Sequence, residues 1–276
     1  MVSALMQSAL ADGFVSTPGG YRKTSDVHLV TAGQAVVKRG GASFVMKLST
    51  GALTGSSREG SSRTHPASQI GAWVTWANWQ NTTSVAISSF ATRWVVPPPP
   101  RASGDQLVYL FNGLQDPHGT EILQPVLQLG VSGARGGRFW SIASWHVDSQ
   151  GHAYCTPALP VQPGDQLKGL MTLVSSYSDG THNYRCEFVG REETCLMALG
   201  IPELTDTVET LEAYGLTEAA EYPAMRDLSM NEISVETDTA PAALAWSSHT
   251  MQNPLYGEDT VIVSNASPGG EVQIVF

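Results

Sequence analysis

The chain has 276 residues, only 14% of them charged, with 27 glycines, 16 prolines and a formal charge of −10. That length holds one large β domain or two small ones with a sizeable core, and low charge with many turn formers points to strands rather than a helical bundle. An acidic chain without clustered Lys and Arg excludes a nucleic-acid surface, and no apolar run approaches a membrane span.

The opening residues, MVSALMQSALADGF, have no basic stretch and no continuous apolar run of signal-peptide length, so a cytoplasmic rather than a secreted protein is expected. Sequons at Asn81 and Asn265 matter only if the chain is secreted. Short strands are expected over Val27–Val30, Gln34–Lys38 and Ala42–Leu48, followed by a Gly/Ser-rich loop over Ser49–Ser68. Residues 1–68 are therefore read as an N-terminal extension or lid, and residues 69–276 as a β-sandwich domain. From Ile70 the pattern is short alternating or apolar segments near Ala72–Trp79, Val85–Trp94, Gln106–Asn112, Ile122–Leu129, Trp140–Val147 and Ala153–Leu159. It continues near Gln166–Val174, Asn183–Val189, Thr207–Tyr214, Met230–Glu236, Thr260–Ser264 and Glu271–Phe276, with Thr217–Tyr222 read as a single helical turn. About twelve strands at this spacing predict an all-β fold, a double-sheet antiparallel sandwich or jelly roll. Trp73, Trp76 and Trp79 recur every third residue, a helical spacing inside a strand-like segment.

The chain has no G-x-S-x-G elbow, no H-E-x-x-H and no P-loop. His146 and His152 flank one turn but lack a third ligand, so neither a metal nor another cofactor is expected. Cys155, Cys186 and Cys195 lack metal spacing, can close one pair at most, and read as reduced thiols. Two stretches stand out. In EILQPVLQLG, Gln124, Val126 and Gln128 share one strand face and Leu123, Pro125, Leu127 and Leu129 the other, so the polar face is either wet or the floor of a groove. In TVETLEAYG, a regular strand places Glu209 and Glu212 on opposite faces, and an acid withdrawn from water has the raised pKa that suits general acid–base work.

Ala86–Pro100 (AISSFATRWVVPPPP), Val108–Gly113 (VYLFNG), Ile122–Gln124 (ILQ), Val161–Leu167 (VQPGDQL) and Val208–Tyr214 (VETLEAY) follow in an order that resembles the glutamic peptidase family, the eqolisins, over about residues 70–236. The resemblance implies a concanavalin A-like sandwich of two curved sheets whose concave face carries a Gln–Glu dyad. Gln124 would stabilise the oxyanion and Glu209 would activate water against a peptide substrate. Gln128 lies further along the same floor. Tyr109 and Asn112 stand where the family usually carries Trp and Asp, and Thr210 where it carries the Trp after the catalytic acid. Trp79 and Trp145 are the indoles expected beside the substrate. Two other readings stay open: a carbohydrate- or peptide-binding jelly-roll module without catalysis, and a non-peptidase enzyme using the same Glu–Gln pair on a small substrate. The expected partner is thus a peptide or a carbohydrate, with no nucleic acid and no membrane.

Overall fold

The computed structural model describes residues 13–56, 73–252, 254 and 256–276. Its first strands are β1 (Phe14–Thr17), β2 (Gly20–Lys23), β3 (Val27–Leu29), β4 (Gln34–Arg39), β5 (Ala42–Lys47) and β6 (Leu53–Ser56). The middle of the chain forms β7 (Trp73–Gln80), β8 (Ile87–Val95), β9 (Leu107–Gln115), β10 (Ile122–Ser132), β11 (Arg135–Val147), β12 (Ala153–Cys155) and β13 (Leu159–Pro160). It ends with β14 (Gln166–Ser176), β15 (His182–Phe188), β16 (Arg191–Ile201), β17 (Asp206–Tyr214), β18 (Asp227–Thr237), β19 (Ser247–Thr250), β20 (Asp259–Ser264) and β21 (Gly270–Val275). Among the described residues these strands make an all-β, double-sheet sandwich. The first sheet runs β19-β7-β17-β9-β10-β11-β12-β3, with β13 also on β11, and the second runs β20-β21-β18-β8-β14-β15-β16-β4-β5-β6. Pairing is antiparallel except where β3 joins β12 and β4 joins β16. The N-terminal strands therefore extend an edge of each sheet, and β1–β2 stands apart as a hairpin.

Alternation explains the two layers of core. Leu110, Leu127, Ile142 and Leu211 point from the first sheet toward Trp94 and Phe188 of the second, and Leu114, Leu123 and Ala77 meet Phe90, Tyr184 and Leu196. Each leucine, isoleucine and phenylalanine among them contributes about 1.5–3 kcal/mol by leaving water. The outer face of the first sheet is also covered. Tyr109, Phe111, Val126 and Trp145 pack there with Tyr21 of the hairpin, so β10 is buried on both sides along most of its length.

Local departures from the sequence pattern have physical causes. The tryptophan spacing belongs to a strand with a bulge: Leu211 pairs with Thr75 but Glu212 with Trp73, so the extra residue returns Trp73 and Trp76 to one face, with ring centroids 5.7 Å apart. The segment expected as one strand over Ala153–Leu159 is broken at Thr156-Pro157 into β12 and β13, because proline has no N–H for the ladder. The sequence pattern predicts no strand where β16 lies. Its exposed Arg-Glu-Glu start hides the alternation of buried Thr194, Leu196 and Ala198 that follows. The helical turn is present as a single 3-10 turn, Ala219–Glu221, closed by a capping box between Glu218 and Glu221.

One buried ionic cluster ties the layers together. Glu121, just before β10, accepts from Lys38 of β4 at 2.6 Å and pairs with His146 of β11 at 2.9 Å. A carboxylate that is only 1% exposed needs both partners to offset its lost hydration. Cys155 and Cys186 are buried and Cys195 half-buried, each a free thiol. No helix among the described residues is long and apolar enough to cross a membrane.

Candidate functional site

β17 decides the site, because it carries two acids on opposite faces. Glu209 pairs across the ladder with Asn112 and Ala77, and accepts a hydrogen bond from the Thr92 hydroxyl of β8 in the opposite sheet. It thus lies between the sheets. Asn112 shares that interior: a Cβ at Gly169 of the second sheet would stand 2.4 Å from its Oδ1. The other Glu209 oxygen and both polar atoms of Asn112 have no partner among the described residues. Burial pushes the Glu209 carboxyl well above the ordinary range, opposed by the Thr92 hydrogen bond, so burial favours its neutral form.

Gln124 is on the other side of the same sheet. The pairs Leu123–Leu114 and Val126–Phe111 set it beside Gly113, which in turn faces Val208. Its row neighbours on that face are therefore a glycine and a valine, and neither is an acid. The structure does not bring Gln124 and Glu209 together: the sheet itself separates them, since a residue at position 209 alternates to the face opposite position 208.

The acid on Gln124's face is Glu212, in one row with Tyr109 and Gln128. The hairpin covers it. The Gly19 N–H donates to Glu212 Oε1 at 2.8 Å, and the Tyr214 hydroxyl donates to the same oxygen. Burial raises the carboxyl from 4.5 to about 7, against hydrogen bonds from Tyr214, Gly19 and Trp73 and the nearby charge of Arg22. Arg22 is itself buried; its Nε donates to the Gly151 carbonyl at 2.8 Å and Nη1 to that of Pro18 at 3.1 Å. Gln124 and Glu212 are four residues apart along the strand direction and two strands apart across it, so their backbones are roughly 16 Å apart.

A cleft of about 510 Å³ opens between the hairpin turn and the ends of β10 and β11. Gln124 lines it together with Trp73, Arg22, Gln115 and Asp148. Gln124 is 1% exposed and its amide oxygen accepts no hydrogen bond among the described residues. Burial raises the Asp148 carboxyl, but hydrogen bonds from His152 and Ser43 outweigh it and hold the group down at about 2, so an ionised acid and the Arg22 guanidinium both line the cleft.

The other expected site residues are placed elsewhere. Gln128 is spent on the β10–β11 turn: its amide donates to the carbonyls of Arg135 at 2.8 Å and Gly130 at 3.2 Å, and accepts from Ser132. Tyr109 and Trp145 are fully buried in the outer core cluster. Trp79 packs against the inner core, because Thr207, its ladder partner, alternates to the inner side. Asn112 is interior, as described above. Arg22, Trp73 and Asp148 were not expected as lining residues. The only early signal for Arg22 was the T-P-G-G-Y turn between two short alternating runs, a hairpin pattern. Among the described residues no cluster of three or more His, Cys, Asp or Glu is placed to hold a metal.

No protein-family model matches the chain, and no curated protein does. Among solved structures it is similar to SCP-B, a member of the eqolisin family of peptidases in a complex with the tripeptide Ala-Ile-His, at 13% identity over 75% of this chain and 100% of that one, with a TM-score of 0.46. It is also similar to a toad ovary galectin in complex with thio-digalactose, at 10% identity over 63% of this chain and 98% of that one, with a TM-score of 0.30.

Proposed function

We propose that the protein is a carbohydrate-binding β-sandwich whose ligand enters the cleft between the β1–β2 hairpin and the first sheet. The observation that carries this reading is the Gln124 amide: buried, lining an open cleft, with an acceptor oxygen that nothing in the described protein satisfies. The remaining lining chemistry fits a sugar. Trp73 offers an indole for the C–H face of a pyranose ring, while Arg22, Asp148 and Gln115 supply donors and acceptors for hydroxyls that both give and accept hydrogen bonds. With Gln124 and Glu209 on opposite faces, the reading needs no Gln–Glu dyad.

A glycan array followed by titration of the best ligand tests it. Trp73→Ala is expected to lower affinity roughly tenfold or more and Gln124→Ala roughly fivefold, while Glu209→Gln leaves binding unchanged. Binding to an unstructured peptide library with no glycan signal would replace the sugar by a peptide as ligand.

A second reading is favoured by one observation. Glu212 lies on the cleft side of the sheet with its carboxyl raised to about 7, and it is hydrogen-bonded to Gly19, which lines the cleft. In a glutamic-peptidase-like hydrolase, Glu212 rather than Glu209 would be the base that takes a proton from water. Cleavage of an unfolded protein that rises as pH passes through about 7, is lost in Glu212→Gln and is kept in Glu209→Gln would establish it; no cleavage between about pH 6 and pH 9 ends it.

A further inference from the structure

A second cavity, of about 310 Å³, lies at the other end of β10 and β11 from the cleft, where the proline run after β8 meets the turn before β14. Pro99, Pro100, Leu129, Phe139, Val161 and Pro163 give it apolar walls. Phe139 is 47% exposed and presents its ring as part of the cavity lining. Cavities of this size with a mostly apolar lining and a few fixed polar groups are the usual form of a small-molecule site.

Two lining side chains have unmet capacity. Trp140 is 2% exposed, and its indole N–H has no acceptor among the described residues. An indole nitrogen only donates, so whatever satisfies it must bring an acceptor. Arg138 is 73% exposed and is 3.9 Å from Asp105, a long surface pair that holds the guanidinium weakly. Gln106, by contrast, is already committed: its amide accepts from the Gly104 N–H at 2.7 Å and donates to the Ala102 carbonyl at 3.1 Å. Ser103 and Gln162 also line the cavity, and with them the Trp140 donor and the Arg138 cation stand against an apolar wall.

We propose that this cavity is a binding site for a small carboxylate with an apolar body, of the arylacetate class. The ring would pack among Phe139, Val161 and the prolines, and the carboxylate would accept from Trp140 Nε1 and pair with Arg138. The site is independent of the cleft, since the two share no lining residue.

Calorimetric titration of the full chain with phenylacetate, against phenylacetamide as its uncharged counterpart, tests the assignment. The acid is expected to bind at least tenfold more tightly than the amide. Trp140→Phe, which keeps a ring and removes the N–H, should lower affinity roughly tenfold, and Arg138→Gln roughly threefold. Trp73→Ala, in the cleft, should leave phenylacetate binding unchanged, so failure here and failure of the sugar reading are separately visible. Equal binding of acid and amide, no binding of either at millimolar concentration, or wild-type affinity in Arg138→Gln overturns the proposal. Arg138 is exposed, so that variant remains decisive even if Trp140→Phe does not fold.

Discussion

Glu209 and Glu212 sit three positions apart on one strand, both fully buried, both with carboxyls raised by loss of hydration, and they are buried by different means. Glu209 is sealed by the second sheet, where its described donor is the Thr92 hydroxyl. Glu212 is sealed by a two-strand hairpin, with Gly19 and Tyr214 as donors and Arg22 nearby. The inner acid can meet water only if the sandwich opens. The outer one needs only the hairpin to move, because the rest of its sheet stays paired to β7 and β9. A raised pKa therefore does not mark a functional acid by itself. What distinguishes the two is which layer excludes water, and only Glu212 is next to a cleft.

The largest effect that would sharpen this contrast is in the pH dependence of stability. A carboxyl raised in the folded state contributes stability that is fully present below its unfolded pKa and is lost as pH rises through the folded value. For Glu212, moving from 4.5 to about 7, the loss across that window is on the order of 3 kcal/mol. Glu209 has the same sign and adds to the slope from the same starting pH. Urea unfolding measured from about pH 4 to pH 8 should therefore flatten in both Glu212→Gln and Glu209→Gln. A chain beginning at residue 25, which lacks the hairpin, should lose the Glu212 component and keep the Glu209 component. If the shortened chain still shows the Glu212-dependent slope, the hairpin is not what buries that acid.

The same strand shows how much was legible in the residues. Alternation along TVETLEAYG correctly puts the two acids on opposite faces, and alternation along EILQPVLQLG correctly groups Gln124 with Val126 and Gln128. The sandwich followed from short strands and turn residues, which are local signals. Which of the two acids shares a face with Gln124 depends on the register between β17, β9 and β10, and one position of slip exchanges the faces. Nothing in a single strand's sequence sets that register. The hairpin cover was harder still: FVSTPGGYRK reads as a turn with short flanks, but its docking rests on non-local contacts such as Gly19 to Glu212 and Ser16 to Gly133. Trp79 and Trp145 pack in or against the cores rather than beside the cleft for a related reason. Indoles suit a core as well as a groove, and only packing tells which.

A smaller effect tests the inner side of the comparison. A Cβ at Gly169 would stand 2.4 Å from Asn112 Oδ1, 2.7 Å from Pro125 Cγ and 3.0 Å from Trp94. The side chains around it are boxed in by both sheets, so Gly169→Ala should cost about 1–3 kcal/mol by overpacking, read as a lower midpoint in urea with an unchanged slope. A neutral result would mean that the region around Glu209 is looser than a two-sheet seal implies, and the distinction from the hairpin side would weaken.

The smallest effect belongs to the outer side. Gly19 has φ +78°, and an added Cβ there would meet Arg22 Nη2 at 3.5 Å, an ordinary contact. Gly19→Ala therefore adds no clash and costs only the strain of a left-handed backbone, about 1–2 kcal/mol. That cost applies to the docked turn and not to the sandwich. It should appear as faster amide exchange in β1 and β2 and a fall in the Glu212 pKa toward 4.5, while amides of β9 and β10 keep their protection. If Gly19→Ala instead lowers protection evenly across both sheets, hairpin and sandwich open as one unit, and the two acids differ in surroundings but not in how they reach water.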